Sequence, residues 1–198
     1  MGTVAWEDTA CRDEVLQWLN LSDYQLIADL FEDLRYNLVV DSVIAGNTPA
    51  WVYVDDLPEP RAAWIWNRMG TMLLAGQSGD EAFNQALSAV LSDRVVPDAR
   101  RRRIPSLTLH CSPDVWEGKV GRLLPGVSSE RTWRRFYIFD RLMVHWREKV
   151  APGCMMQRID GELLQQGRLE NVGSVVGWVR SFWHIVEDFA ERGFGFCL

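Results

Sequence analysis

The sequence predicts an α/β (α+β) fold: a mixed, mostly antiparallel sheet flanked by helices. Three observations carry this. First, three short apolar runs, Trp51–Val54, Ala62–Trp66 and Thr71–Ala75, follow one another at hairpin intervals, which suits an antiparallel meander. Second, the third run passes through a glycine-bearing turn, Gly76–Gly79, straight into an amphipathic helix. Third, an alternating run, Ser106–Cys111, follows that helix at the distance a parallel crossover requires.

Taken in order, Thr9–Leu34 shows helical spacing through Val15, Leu16, Leu19, Leu26, Ile27, Leu30, Phe31 and Leu34. A break near Asn20–Asp23 lets Ser22 cap a second helix. Asn37–Ala45 reads as a strand by its Leu38, Val39, Val40, Val43 and Ile44, closed by a Gly46–Pro49 turn. The segment Leu57-Pro58-Glu59-Pro60 interrupts regular pairing and forms a loop. In the helix near Ser78, the apolar face is Phe83, Ala86, Leu87, Val90 and Leu91. Ser78 and Glu81 stand at capping-box spacing, and Pro97 ends or kinks the helix.

Ser112 and Pro113 then open a helix whose buried face is Trp116, Val120, Leu123 and Leu124. Arg131–Asp140 (RTWRRFYIFD) reads as a long aromatic strand. A new unit begins near Val144, with a strand at Met155–Ile159, a short helix at Gly161–Gln166 and a longer one at Gly173–Arg192. An apolar strand, Phe194–Leu198, follows, and its lack of a later partner reads as a domain cut short.

Hydrophobic residues make up 47% of the chain and charged residues 24%, enough apolar material for a sizeable core. Most of the ten Trp belong in it. A net charge of −6 argues against nucleic acid as the main partner, because phosphate binding needs a basic footprint. Cys11, Cys111, Cys154 and Cys197 are scattered without a C-x-x-C pair, which favours buried reduced thiols over a zinc site or disulfides. The acidic N-terminus has no apolar signal-peptide core, and no stretch is long and apolar enough for a membrane span. A cytoplasmic protein with no membrane partner is the expectation.

Several groups invite a functional reading. The turn before the helix at Ser78 stands where free N–H groups and the helix dipole can hold a phosphate. The basic run Arg100–Arg103, with Arg94, follows a helix and there complements its negative end. His110 and Cys111 are neighbours on a strand, so their side chains face opposite ways and do not form a nucleophile–base pair. His184, Glu187 and Asp188 share one face of the predicted Gly173–Arg192 helix, but three such residues without nearby partners are a solvated stripe and not a metal site.

Four segments, taken in their order and spacing, carry a resemblance. VIAGNTPAWVYVDD (Val43–Asp56), SLTLHCSPDVWEGKV (Ser106–Val120), RRFYIFD (Arg134–Asp140) and ERGFGFCL (Glu191–Leu198) are similar to bacterial GNAT-type acetyltransferases of the zwittermicin A resistance type. The likeness runs from about Arg35 onward. It implies tandem GNAT-like units: a degenerate N-terminal unit over residues 1–140 and the start of a catalytic unit over 141–198. It also implies acetyl-CoA as co-substrate of the intact protein and a small-molecule amine as acceptor.

The family's acetyl-CoA loop, Q/R-x-x-G-x-G/A, is expected beyond Leu198, so this chain alone is expected to bind no cofactor. The Gly76–Glu81 turn is an imperfect counterpart: Gln77 and Ala82 fit, but Asp80 stands where the middle glycine belongs, Gly79 is one place early, and Asp80 and Glu81 put negative charge where a pyrophosphate would sit. The resemblance places Trp183, Glu187 and Phe196 beside the acceptor cleft as substrate-binding residues. A non-catalytic binding or interaction module is the other reading, and the terminal apolar strand suggests self-association.

Overall fold

The computed structural model describes residues 15–197, apart from 138, 142, 144 and 166–171. Its main sheet has five strands in the order β1-β2-β3-β4-β5. These are Gln17–Trp18 (β1), Trp51–Val54 (β2), Ala62–Trp66 (β3), Thr71–Gly76 (β4) and Thr108–Ser112 (β5). The first four pair antiparallel and β5 runs parallel to β4, as the meander and crossover predict.

The sheet is covered on both faces, which explains why β2, β3 and β4 are largely apolar instead of alternating. Every residue of β3 is buried. Trp64, Trp66, Met72 and Leu74 meet the helices after β4, Glu81–Val90 (α2) and Val96–Arg101 (α3), through Phe83, Leu87, Leu91, Val95 and Ala99. Val52, Val54, Ala63, Ile65, Leu73 and Ala75 meet Tyr24, Ile27, Phe31 and Leu34 on the other face. Both cores draw their buried residues from Leu16 to Leu124.

Local structure departs from the sequence expectations in several places. The predicted helix over Thr9–Leu34 is a strand at Gln17–Trp18 followed by 3-10 helices at Leu21–Ile27 and Asp29–Leu34; its first residues lie outside the described ones. Asn20, not Ser22, stands at the start of the first 3-10 helix. The predicted strand at Asn37–Ala45 is a helix, Val39–Ile44 (α1). Its buried Val40, Val43 and Ile44 fall at i, i+3 and i+4, so helical packing overrides the β-branched preference.

A wide π-type turn at Leu91–Val95 leads into α3, so the chain stays helical past Pro97, which supplies no N–H. After Pro113 comes a 3-10 helix, Asp114–Lys119, and then Val120–Leu123 (α4). Trp116, Leu123 and Leu124 are buried there as expected.

The Arg131–Asp140 segment is not a strand at its described residues. Its described residues form no ladder and are exposed, with Trp133 at 82% and Tyr137 at 85%. Aromatic content favours a strand only where a partner edge pairs with it, and here an Arg131–Glu117 ion pair and a Phe136–Tyr36 ring contact hold the segment instead.

Farther on, Gln157–Arg158 (β6) pairs antiparallel with Phe196–Cys197 (β7). Three helices of the same stretch pack on one another: Gly161–Gln165 (α5), Val172–Phe182 (α6) and Val186–Arg192 (α7). The single helix expected over Gly173–Arg192 is therefore two, broken at Trp183–Ile185. Their buried centre is Leu164, Val179 and Phe189. Thr48, at the turn before β2, donates a hydrogen bond to the Phe182 carbonyl at 2.9 Å.

Candidate functional site

The passage from β4 to α2 is the first site to build. Gly76 has φ +89, and a Cβ there would stand 2.1 Å from the Arg61 carbonyl oxygen, so the position accepts glycine alone without rearrangement. Gln77 N–H donates to that same carbonyl at 2.7 Å, which keeps the chain extended past the strand's end. The helix consequently starts later than Ser78. Asp80 is the N-cap, and its Oδ1 accepts from the N–H groups of Ala82 at 2.9 Å and Phe83 at 3.0 Å. The expected Ser78–Glu81 capping box is thus replaced, with the Ser78 carbonyl accepting from Asn84 Nδ2 at 3.0 Å.

Two further contacts close this end of the sheet. Strands β4 and β5 stay in register from Thr71↔Thr108 to Ala75↔Ser112. Just beyond them the Trp116 indole N–H donates to the Gly76 carbonyl at 3.0 Å, with its ring wholly buried and edge-on to Phe83.

Beside α2 lies a groove of about 380 Å³ lined by Glu81, Asn84, Gln85, Ser88, Lys119, Arg122 and Leu123. Lys119 Nζ donates to Glu81 at 2.7 Å and holds that carboxyl below its ordinary range. Most of its lining side chains are polar, and the ion pair neutralises two of its charges. It offers hydrogen bonding but no activated nucleophile.

His110 and Cys111 separate to opposite faces as expected. Cys111 packs against the core on the α2 side, and burial raises its thiol pKa. His110 instead stands near the Tyr36 hydroxyl, with Nδ1 at 3.4 Å, and burial followed by the Arg134 charge lowers its pKa. A neutral imidazole beside a phenol is a hydrogen-bonding pair. Cys154 is exposed, contrary to the expectation that the thiols are buried, while Cys111 and Cys197 are partly so; Cys11 lies outside the described residues.

The residues expected at an acceptor cleft lie among the later elements. Trp183 sits in the break between α6 and α7, half-buried and edge-on to Phe189 at 5.9 Å. Glu187 is exposed in the first turn of α7, and Phe196 is 60% exposed on β7. His184 precedes α7, so it does not share a helical face with Glu187 and Asp188, and Asp188 pairs with Arg192 at 2.9 Å. Among the described residues no group of His, Cys, Asp and Glu is placed to hold a metal, and no helix is long and apolar enough to cross a membrane.

The model of the family described as GNAT acetyltransferase matches residues 28–198. The chain belongs to the GNAT acetyltransferase family. No curated protein matches it. The mixed, mostly antiparallel five-stranded sheet with its flanking helices is consistent with the GNAT fold.

Members of the GNAT family generally use acetyl-CoA as co-substrate. The α2 turn of this GNAT chain does not fit that molecule's pyrophosphate. The Asp80 carboxylate already takes two of the N–H groups a phosphate would use, and Glu81 adds a second negative charge. Sequence reasoning found the two acids but assigned the cap to Ser78, and it missed the Trp116 contact altogether. The Asp80 cap was legible as an Asp immediately before a periodic helix; the Trp116 contact has no local signal.

Proposed function

We propose that the chain belongs to an N-acetyltransferase that moves acetyl from acetyl-CoA to a small-molecule amine, and that this chain alone does not bind acetyl-CoA. Residues 1–140 are a GNAT-like scaffold without a cofactor site, and 141–198 open a second unit, an arrangement of the zwittermicin A resistance type. The observation that carries this reading is the Asp80 carboxylate seated on the α2 N-terminus.

Trp183, Glu187 and Phe196 are the residues proposed to meet the acceptor. Amine acylation needs a nitrogen free of its extra proton, and an exposed carboxylate such as Glu187 can accept that proton through water. The test is incubation of the chain with acetyl-CoA and a panel of small amines, read by mass spectrometry. No acetylated product is expected from the 198-residue chain. Sustained turnover would overturn the reading.

A second reading, a non-catalytic interaction module, is favoured by the two cores confined to Leu16–Leu124. Self-association through the last strand goes with it, since Phe194 is 80% and Phe196 60% exposed. Light scattering at rising concentration checks that contact. Persistent monomer would remove it.

A further inference from the structure

At the end of the sheet opposite the α2 N-terminus, arginines from two segments meet one buried carboxylate. The β3–β4 turn supplies Arg68, and the end of α3 supplies Arg101 and Arg102. All three pair with Asp98, whose side chain is 3% exposed, so three guanidiniums share a single negative charge.

The turn holds its arginine in a costly geometry. Arg68 has φ +59 and Arg103 has φ +57, and these are the left-handed non-glycine residues among those described. Asn67 Oδ1 fixes the turn by accepting from the N–H groups of Met69 at 2.9 Å and Thr71 at 3.0 Å. The two segments are locked together where Thr108 N–H donates to the Gly70 carbonyl at 2.7 Å.

Donors exceed acceptors in this corner. Arg68 Nε is buried and has no acceptor, while its guanidinium lies 5.1 Å from the centre of the Trp51 ring. The Trp66 ring meets Trp51 edge-on, and its indole N–H also lacks an acceptor. Burial and then the Arg68 charge lower the Arg102 pKa, an effect that Asp98 opposes and Arg101 adds to. Those orphaned donors are closed to solvent, but the outer guanidinium N–H groups of Arg68, Arg101 and Arg102 are partly exposed, and their excess positive charge suits an added oxyanion.

We infer that Arg68, Arg101 and Arg102 form a binding site for a small phosphate-class oxyanion, shared with the Asp98 carboxylate. The site is independent of the acetyl-transfer reading and lies away from the turn that reading concerns. Its donors recognise the phosphate group itself, whether as the free ion or as a phosphate monoester.

The test is titration of the full chain at constant ionic strength, once with inorganic phosphate and once with O-phosphoserine, read by thermal unfolding and by phosphorus NMR. A saturable response is expected, and whichever probe is tighter names the source. Arg102→Gln should weaken it about tenfold, the worth of one charge-assisted hydrogen bond. If Arg102→Gln does not fold, Arg101→Gln is the substitute, since that side chain is 76% exposed.

Asp98→Asn gives a reading that a purely structural cluster would not. It removes the competing carboxylate, so anion affinity should rise even as the protein becomes less stable. No saturable response to either probe would overturn the inference. So would equal responses from the wild type and a folded arginine variant, or weaker binding by a folded Asp98→Asn protein.

Discussion

Replacing Asp80 by Ala removes an acceptor that two N–H groups of α2 share at 2.9 and 3.0 Å. Loss of such a cap costs about 1 kcal/mol, within a range of roughly 0.5–2. Loss of the negative charge at the positive end of the helix adds about 0.3–1 kcal/mol. The expected total is about 1–2 kcal/mol, a measurable share of a domain stability on the order of 5–15 kcal/mol. Asp80→Asn separates the two contributions: it keeps an oxygen acceptor and loses the charge, so it should cost only about 0.3–1 kcal/mol.

Urea unfolding followed by tryptophan emission gives the assay, with midpoints compared at constant slope. Pyrophosphate should leave the wild-type midpoint unmoved and raise that of Asp80→Ala, because the freed N–H groups then face solvent. Equal costs for Asn and Ala, or a wild-type midpoint that rises with pyrophosphate, would refute the view that Asp80 occupies this anion site.

Three other outcomes follow from the same end of the sheet and from the opposite core. Gly76→Ala should lose at least about 2 kcal/mol, since its backbone is left-handed and the new methyl meets the Arg61 carbonyl; chemical denaturation checks it. Trp116→Phe should cost about 1–3 kcal/mol by leaving the Gly76 carbonyl without its indole donor, and unchanged stability would make that hydrogen bond irrelevant. Tyr24 is pushed up to about 12 by burial, while its hydroxyl donates to the Ala50 carbonyl at 3.2 Å. The unfolded chain loses that proton first, near pH 10, so stability should be full below about pH 10 and fall as pH rises toward 12. Tyr24→Phe should flatten that alkaline decline.

The parts of the fold that were legible in the sequence are those set by local pattern. Trp51–Val54, Ala62–Trp66 and Thr71–Gly76 are short apolar runs punctuated by turn residues, and they pair in sequence order. The crossover to β5 was legible because a periodic helix separates two strands. Elements decided by tertiary contact were not. Val39–Ile44 is too short for its period to stand out against its valines, and only its packing with Tyr24, Ile27 and Phe31 selects a helix.

The run Phe182–Ile185 carries no Gly or Pro and suits a continuing helix as well as a break. Arg131–Asp140 has the composition of a strand but depends on a partner that composition does not reveal. At the candidate site the sequence displayed the acids and the misplaced glycine. Which residue caps the helix depended on the Arg61 carbonyl holding Gln77 extended, a contact from the neighbouring strand. The Asp98 hub was half-visible: Arg101 and Arg102 stand at i+3 and i+4 from Asp98, whereas Arg68 joins only through the fold.

Calorimetric titration of acetyl-CoA into the chain tests most directly the proposal that this GNAT chain alone does not bind the cofactor. Heats of dilution alone are predicted across micromolar concentrations. A saturable one-to-one isotherm, abolished by prior saturation of the chain with CoA, would contradict the account.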